Sequence, residues 1–196
     1  MASTDLKSKT LDSFAISYGF CEGPRHAKKL NSLLNHAGYL SKPLNEADII
    51  IAHSAGCWLI PNNIKPRLVI YVGMPLSSNY KTLLSANRNS LREGVHHNAR
   101  VKLNNAYHGL RQPIRQLKIV RNFKSAKPVF FPNSHAVFIA NRHDTWPRSE
   151  KLQSYLNNHS WSFISLPGVH DDIWIHPERY VGIINYYARL LAKTNY

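Results

Sequence analysis

The stretch "ADIIIAHSAGCW", residues 47 to 58, narrows the choice of fold more than any other. Ile49, Ile50 and Ile51 form a continuous apolar run with no polar face. A strand of that kind is covered on both sides, as in a parallel sheet with helices packed above and below. The run passes directly into His-Ser-Ala-Gly and then into helix-like sequence, so strand and helix are joined by a tight turn. Ala52, Ser54 and Gly56 are small and spaced two apart around it.

Further strand-like runs occur at "SFAISY" (13–18), "RLVIYVG" (67–73), "HAVFIAN" (135–141) and "WSFISL" (161–166). Helical patterns separate them. Ala27, Leu30, Leu33, Leu34 and Ala37 recur at three-to-four spacing, which predicts a helix from Pro24 to Ala37. Pro147 to Asn157 reads as a second helix. Pro177 to Leu191 reads as a third, with Val181, Ile184, Tyr187 and Leu191 as its core stripe. Short strands alternating with helices predict one α/β domain with a mostly parallel central sheet flanked by helices. The length of 196 residues suits a single domain spanning 1–196.

Between Gly73 and His135 no strand pattern occurs. A gap of that length predicts a helical insertion, taken as about 76–134. Within it "LRQPIRQLKIVRNFK" places Leu110, Ile114, Leu117, Val120 and Phe123 on one helical face. Arg111, Arg115, Lys118, Arg121 and Lys124 line the neighbouring face. Such a basic amphipathic helix can dock on its own core, cover a cleft or lie on a membrane surface.

Charge sets the partner classes. The formal charge is +14, and Lys81 to Lys127 holds eleven Lys and Arg against one acid, Glu93. This block attracts an anionic substrate, lipid surface or other acidic partner, or simply solubilises the chain. No nucleic-acid-binding motif accompanies it, so nucleic acid is not the expected partner. No apolar stretch reaches membrane-spanning length. "MASTDLKSKTLDS" lacks the apolar core of a signal peptide, which predicts a cytoplasmic protein; oligomeric state is left open. Cys21 and Cys57 are too few for a disulfide framework or zinc site, and both are expected as packed thiols. No dinucleotide fingerprint or phosphate loop is present, so neither organic cofactor nor metal is expected.

The turn at Ser54 also carries chemistry. A small-x-Ser-x-Gly turn between strand and helix can hold its serine in a strained conformation with Oγ clear of the sheet. A serine hydroxyl needs a base to take its proton, and the base needs a carboxylate to orient it. Asp144 follows "HAVFIAN" and His170 follows "WSFISL", so all three candidates occupy loops at strand ends. Ligands of open parallel sheets bind at that edge. His53 is expected to point away and pack, while His143 and His176 read as surface histidines. Asp171 and Asp172 follow His170 too closely to reach its far nitrogen, although Asp172 can orient it indirectly. His170, Asp171, Asp172 and His176 match no zinc spacing. Trp58, Trp146 and Trp174 read as core or pocket wall.

The order Ser54, Asp144, His170, each after a strand, resembles the α/β-hydrolase superfamily, particularly its small intracellular serine hydrolases. The resemblance covers most of the chain and implies a reduced version of that fold, with 76–134 as its cap. It implies Ser54 as nucleophile, Asp144 as orienting acid and His170 as general base and acid. It also implies an oxyanion hole from the backbone N–H groups of Ala55 and, after Gly19, Phe20. The implied activity is hydrolysis of an ester or thioester of a small or acyl substrate, without a cofactor. An amidase or acyltransferase on the same triad, or a silent basic protein that binds an anionic partner, are the alternatives. The chain departs from the pattern at Ala52, where relatives carry glycine, and at Tyr18, where many carry histidine. The helix after Ser54 is cut short by Pro61, and a strand expected near 38–46 is missing or degenerate.

Overall fold

A computed structural model describes residues 10–75, 99–114, 130–144 and 161–193, together with 117, 121, 153, 154 and 156. Six strands form one sheet: β1 Ser13–Ser17, β2 Leu40–Ser41, β3 Ile49–His53, β4 Leu68–Val72, β5 His135–Asn141 and β6 Ser162–Leu166. Their order is β2-β1-β3-β4-β5-β6, and every neighbouring pair is parallel. Among the described residues, helices α1 Lys28–His36, α2 Ala99–Arg111, α3 Asp172–Ile175 and α4 Pro177–Lys193 accompany them.

The Ile49–Ile51 run explains the layering. Alternate side chains of a strand face opposite sides. Ile49 and Ile51 pack with Leu30 and Leu34 of α1 and with Tyr180, Ile184 and Leu191 of α4. Ile50 and Ala52 face the other way, against Cys57, Trp58, Ile60, Tyr71 and Phe138. Both β3 and β4 are buried at all five positions, as a continuous apolar run requires. Tyr71 and Phe138, paired across β4 and β5, stack with ring centroids 4.7 Å apart.

The strand near 38–46 exists as the two residues of β2, paired to β1 through Ser13 and Phe14. Lys42 N–H still donates to the Phe14 carbonyl, but Pro43 has no N–H to continue the ladder. The N-terminal helix begins later than its apolar spacing predicts. Residues 24–27 form turns and α1 starts at Lys28. It ends on Gly38 at φ 94°, where Tyr39 N–H donates back to the Leu34 carbonyl. The terminal helix matches its expectation and runs on to Lys193. Expected helix Pro147–Asn157 lies mostly outside the described residues. So does much of the insertion, which does contain α2.

This strand order creates a crevice. From β1 the chain turns to one side for β2, then crosses to the other side of β1 for β3. α1 covers one face of the sheet, whereas the residues after β3 cover the opposite face. Connections that diverge in this way leave a gap beyond the carboxyl ends of β1 and β3. The loops after β1 and β3 meet there. Gly56 makes the meeting possible, because a Cβ at that position would overlap the Ser17 main-chain carbonyl. Ser17 Oγ in turn donates to the Gly56 carbonyl at 2.8 Å. Gly56→Ala is expected to lower stability by on the order of 1–3 kcal/mol. Urea unfolding would register this as a lower midpoint with an unchanged slope.

Candidate active site

β3 ends in a five-residue 3-10 helix, Ser54–Trp58, with no intervening loop. Ser54 takes φ 54°, in the left-handed region that L residues avoid. The chain around it is small where it must be. A Cβ on Gly19 would stand 2.9 Å from Ser54 Cβ and 3.1 Å from the His53 carbonyl oxygen. The loop after β1 therefore lies directly against the serine turn. Cys57, two residues past Ala55, is a buried free thiol, and burial pushes its pKa well above the ordinary range. It packs and does not compete as a nucleophile.

Asp144 and His170 meet. His170 Nδ1–H donates to Asp144 Oδ2 at 2.8 Å, with Asp144 buried and the imidazole about one-fifth exposed at 20%. With Nδ1–H on the aspartate, Nε2 is the nitrogen that can exchange a proton. Gly73, at φ 56° after β4, fits under the pair: a Cβ there would stand 3.1 Å from the His170 ring and 3.3 Å from Asp144 Oδ2. Burial by itself would lower the His170 pKa. The Asp144 charge and hydrogen bond, reinforced by Asp171 and Glu22, outweigh burial and push it up to about 9.

The loop bearing His170 is held from several sides. Asn141 Nδ2 donates to the Val169 carbonyl at 2.7 Å, and His143 N–H donates to the Gly168 carbonyl at 3.0 Å. Asp172 faces Arg179 and the Tyr180 hydroxyl, both at 3.3 Å, and Tyr180 reaches Asn141 Oδ1 at 3.0 Å. Its influence on His170 is therefore indirect, through the loop. His143 is exposed, and His176 sits 3.5 Å from Glu178 at the surface. Trp58 and Trp174 are buried, and Trp146 lies outside the described residues.

His53 packs, as expected, against Trp174 and His170, and it is hydrogen-bonded as well. Its ring is fully buried and both nitrogens are engaged: Nδ1 lies 2.5 Å from Glu22 Oε1, and Nε2–H donates to the His170 carbonyl at 2.9 Å. Glu22 escaped the sequence reading altogether. An acid three residues past the turn glycine, in a chain with only eleven acids, was the available signal. A buried carboxylate needs donors, and the histidine beside Ser54 is one. Asp171 joins Glu22 and His53 as the only described set whose ligand atoms lie within metal-holding distance, 4.8 Å. The contacts already made by Glu22 and His53 would have to break for an ion to enter.

The second expected oxyanion donor lies on the turn of residues 19–22. Gly19 N–H is taken by Glu22 Oε2 at 2.7 Å, Glu22 N–H returns to the Gly19 carbonyl at 3.4 Å, and Cys21 sits at φ 57°. Phe20 is half-exposed at the tip of this turn. α2 packs alongside. A Cβ on Gly23 would meet the His108 ring at 2.6 Å, and the Arg25 guanidinium lies 3.5 Å over the Tyr107 ring. The expected amphipathic helix breaks at Gln112, before Pro113. Leu110, Ile114 and Leu117 do not dock on the core; they are exposed, as is Leu103. Val120 and Phe123 lie outside the described residues.

Solved structures match this architecture over nearly the whole chain. A pyrethroid hydrolase aligns with TM-score 0.58 at 15% identity, covering 94% of this chain and 100% of that one. A carboxylesterase structure from the thaumarchaeon Nitrososphaera gargenis gives 0.57 at 10% identity, with 95% and 92% covered. The chain has the α/β-hydrolase fold. A bromoperoxidase-type protein of Mycobacterium tuberculosis H37Rv shares it at TM-score 0.54 and 11% identity, covering 91% and 92%. No protein-family profile and no curated sequence matches the chain. Among the described residues no helix is long and apolar enough to cross a membrane.

The His170–Asp144 pair makes stability depend on pH. His170 holds its proton more tightly in the folded chain, where its pKa is about 9, than at its ordinary 6.5. The associated stabilisation is full below 6.5 and fades as pH rises through about 9. The stability difference between wild type and His170→Asn should therefore narrow from pH 6 to pH 10, roughly, in urea unfolding.

Proposed function

We propose that this protein is a serine hydrolase that cleaves an ester or thioester through an acyl-enzyme. The observation that carries the reading is a hydrogen-bonded histidine–aspartate pair in the loops after β5 and β6, in a sheet whose β3 ends on a serine at positive φ. The structures it is similar to, a carboxylesterase and a pyrethroid hydrolase among them, support the same class of bond.

In this reading His170 Nε2 takes the Ser54 hydroxyl proton as Oγ attacks the carbonyl carbon. The carbonyl oxygen becomes an oxyanion held by the N–H groups of Ala55 and Phe20. Ala55 lies in the first turn of the 3-10 helix, where N–H groups lack helical partners. His170 then gives its proton to the leaving alcohol or thiol as the bond breaks. Water repeats the sequence: its proton passes to His170, its oxygen attacks the acyl carbon, and Ser54 regains a proton. Asp144 holds the ring in the tautomer with its proton on Nδ1 and stabilises the imidazolium between steps. An amine leaving group or an acyl acceptor other than water would use the same groups.

Two expectations test the chemistry together. Ser54→Ala should abolish fluorophosphonate labelling and ester turnover with the unfolding midpoint retained. His170→Ala should cost at least about 10²–10⁴-fold in kcat, whereas His176→Ala should leave it unchanged. Because the base is the neutral imidazole, kcat/KM should climb with pH and level off near 9. Ester hydrolysis at wild-type rate by Ser54→Ala would remove Ser54 from the mechanism.

The basic insertion adds a preference. Its exposed face of Leu103, Leu110, Ile114 and Leu117, within a block of eleven cations, suits an anionic acyl substrate or an anionic lipid surface at the rim. Esters with a remote carboxylate or phosphate should be favoured at low salt, since charge is screened beyond ~10 Å near 0.1 M. Reversing Arg111, Arg115 and Lys118 to glutamate should raise KM for these esters and spare a small neutral one. Equal salt dependence for charged and neutral esters would reduce the block to a solubilising surface.

A further inference from the structure

We infer that Glu22 and His53 form a buried positioning pair that sets the turn bearing Phe20 and the loop bearing His170 as one unit. The inference rests on the serine-hydrolase reading and assigns to the pair neither a proton nor a contact with substrate.

Glu22 gathers three separate segments. Oε2 accepts the Gly19 N–H at 2.7 Å, while Oε1 meets His53 Nδ1 at 2.5 Å and accepts Trp174 Nε1–H at 3.1 Å. Gly19 follows β1, His53 ends β3, and Trp174 lies in α3 just past His170. The carboxylate is almost wholly buried, at 4% exposure, and so is the His53 ring. Trp174 stands edge-on to that ring at 5.1 Å.

Each contact bears on a group the mechanism needs. Holding Gly19 N–H on Oε2 and the Gly19 carbonyl on Glu22 N–H fixes both peptide planes around Gly19. In a trans peptide N–H and C=O point opposite ways. With the Gly19 carbonyl turned toward Glu22, the Phe20 N–H is directed out of the turn. On the other side, His53 Nε2 holds the His170 carbonyl, from whose Cα the base hangs, and the two rings lie 4.8 Å apart. His53 is also the residue that precedes Ser54. Nucleophile, base and the second oxyanion donor thus share one buried anchor.

A purely structural ion pair would contribute to folding and leave the chemistry alone. A positioning pair predicts a different pattern, because a small misplacement of reacting groups costs up to about 100-fold in rate. The charged groups that face His170 are Asp144, Asp171 and Glu22, so loss of Glu22 should also shift the pH limb.

The test uses the full chain with Glu22→Gln, His53→Gln and the double variant, on p-nitrophenyl acetate. Unfolding midpoints come first, then kcat, KM and fluorophosphonate labelling rate across pH. The expected result is a kcat loss of roughly 10–100-fold for each single variant, with KM within about threefold. The double variant should lose no more than the worse single, and the ascending limb of Glu22→Gln should move to lower pH. Trp174→Phe keeps the aromatic contact and removes one donor. It should show the same kcat signature at smaller size, and it supplies the measurement if a Glu22 variant does not fold. Folded variants with wild-type kcat and an unmoved limb, altered only in stability, would overturn the inference. Failure of the underlying reading looks different: wild type would then resist the probe, or Ser54→Ala would retain turnover.

Discussion

A serine at φ 54° persists only where the main chain on both sides of it is held. Left-handed backbone costs such a residue roughly 1–2 kcal/mol, so the surroundings must enforce it. Upstream, β3 is paired on both sides, to β1 and β4, up to the residues just before the serine. Downstream, Gly56 brings the 3-10 helix onto the end of β1, and Ser17 fastens it there. Gly19 then lets the next loop lie against Ser54 itself. The serine conformation, the crossing of the chain past β1 and the glycine positions are one constraint seen at three scales. Relaxing any of them would let the turn revert to an ordinary loop.

The distribution of charge follows from the same edge. The chain has 25 Lys and Arg against 11 acids, yet four of those acids, Glu22, Asp144, Asp171 and Asp172, gather around the strand ends. Three of the four raise the proton affinity of His170, the opposite of what burial alone would do. Stable burial of Glu22, Asp144 and Asp172 depends on donors: the main chain of Gly19, the rings of His53 and His170, the indole of Trp174 and the guanidinium of Arg179. A locally acidic interior inside a strongly basic protein is thus an arranged feature of the edge, since the average composition runs the other way.

Sequence reading reached the parts of this arrangement that rest on periodicity and order. Ile49–Ile51 announces a doubly covered strand, and five of the six strands follow from similar runs. The edge strand β2 is only two residues long, is paired on one side and ends at Pro43, so it leaves almost no pattern to read. The start of α1 was misplaced because Ala27 fits the apolar spacing while the chain is still turning. Ser54, Asp144 and His170 were visible because each follows a strand, and the structure brings the last two into contact. Glu22 and His53 were not, for a physical reason. Their partnership spans 31 residues and depends on β1 and β3 being neighbours, which only the strand order reveals. A polar pair created by topology leaves no local spacing in the chain.

The helix α2 obeys a different logic from the sheet edge. Leu103 and Leu110 project into solvent at 71% and 82% exposure, so burial of these leucines does not hold it in place. Among the described residues its contacts include His108 filling the space over Gly23, Gly109 near the Cys21 thiol, and Tyr107 between the Arg25 and Arg111 guanidinium groups. The partners outside α2, Cys21, Gly23 and Arg25 with His26 against the His108 ring, belong to the segment that continues from the Phe20 turn. The candidate site at the strand ends, with its buried carboxylate, and the outward face of α2 therefore involve separate sets of residues. Contacts through 21–25, by contrast, reach the Glu22 anchor directly. Whatever the exposed leucines meet would bear on the candidate site through that short segment, because it joins α2 to the turn bearing Phe20.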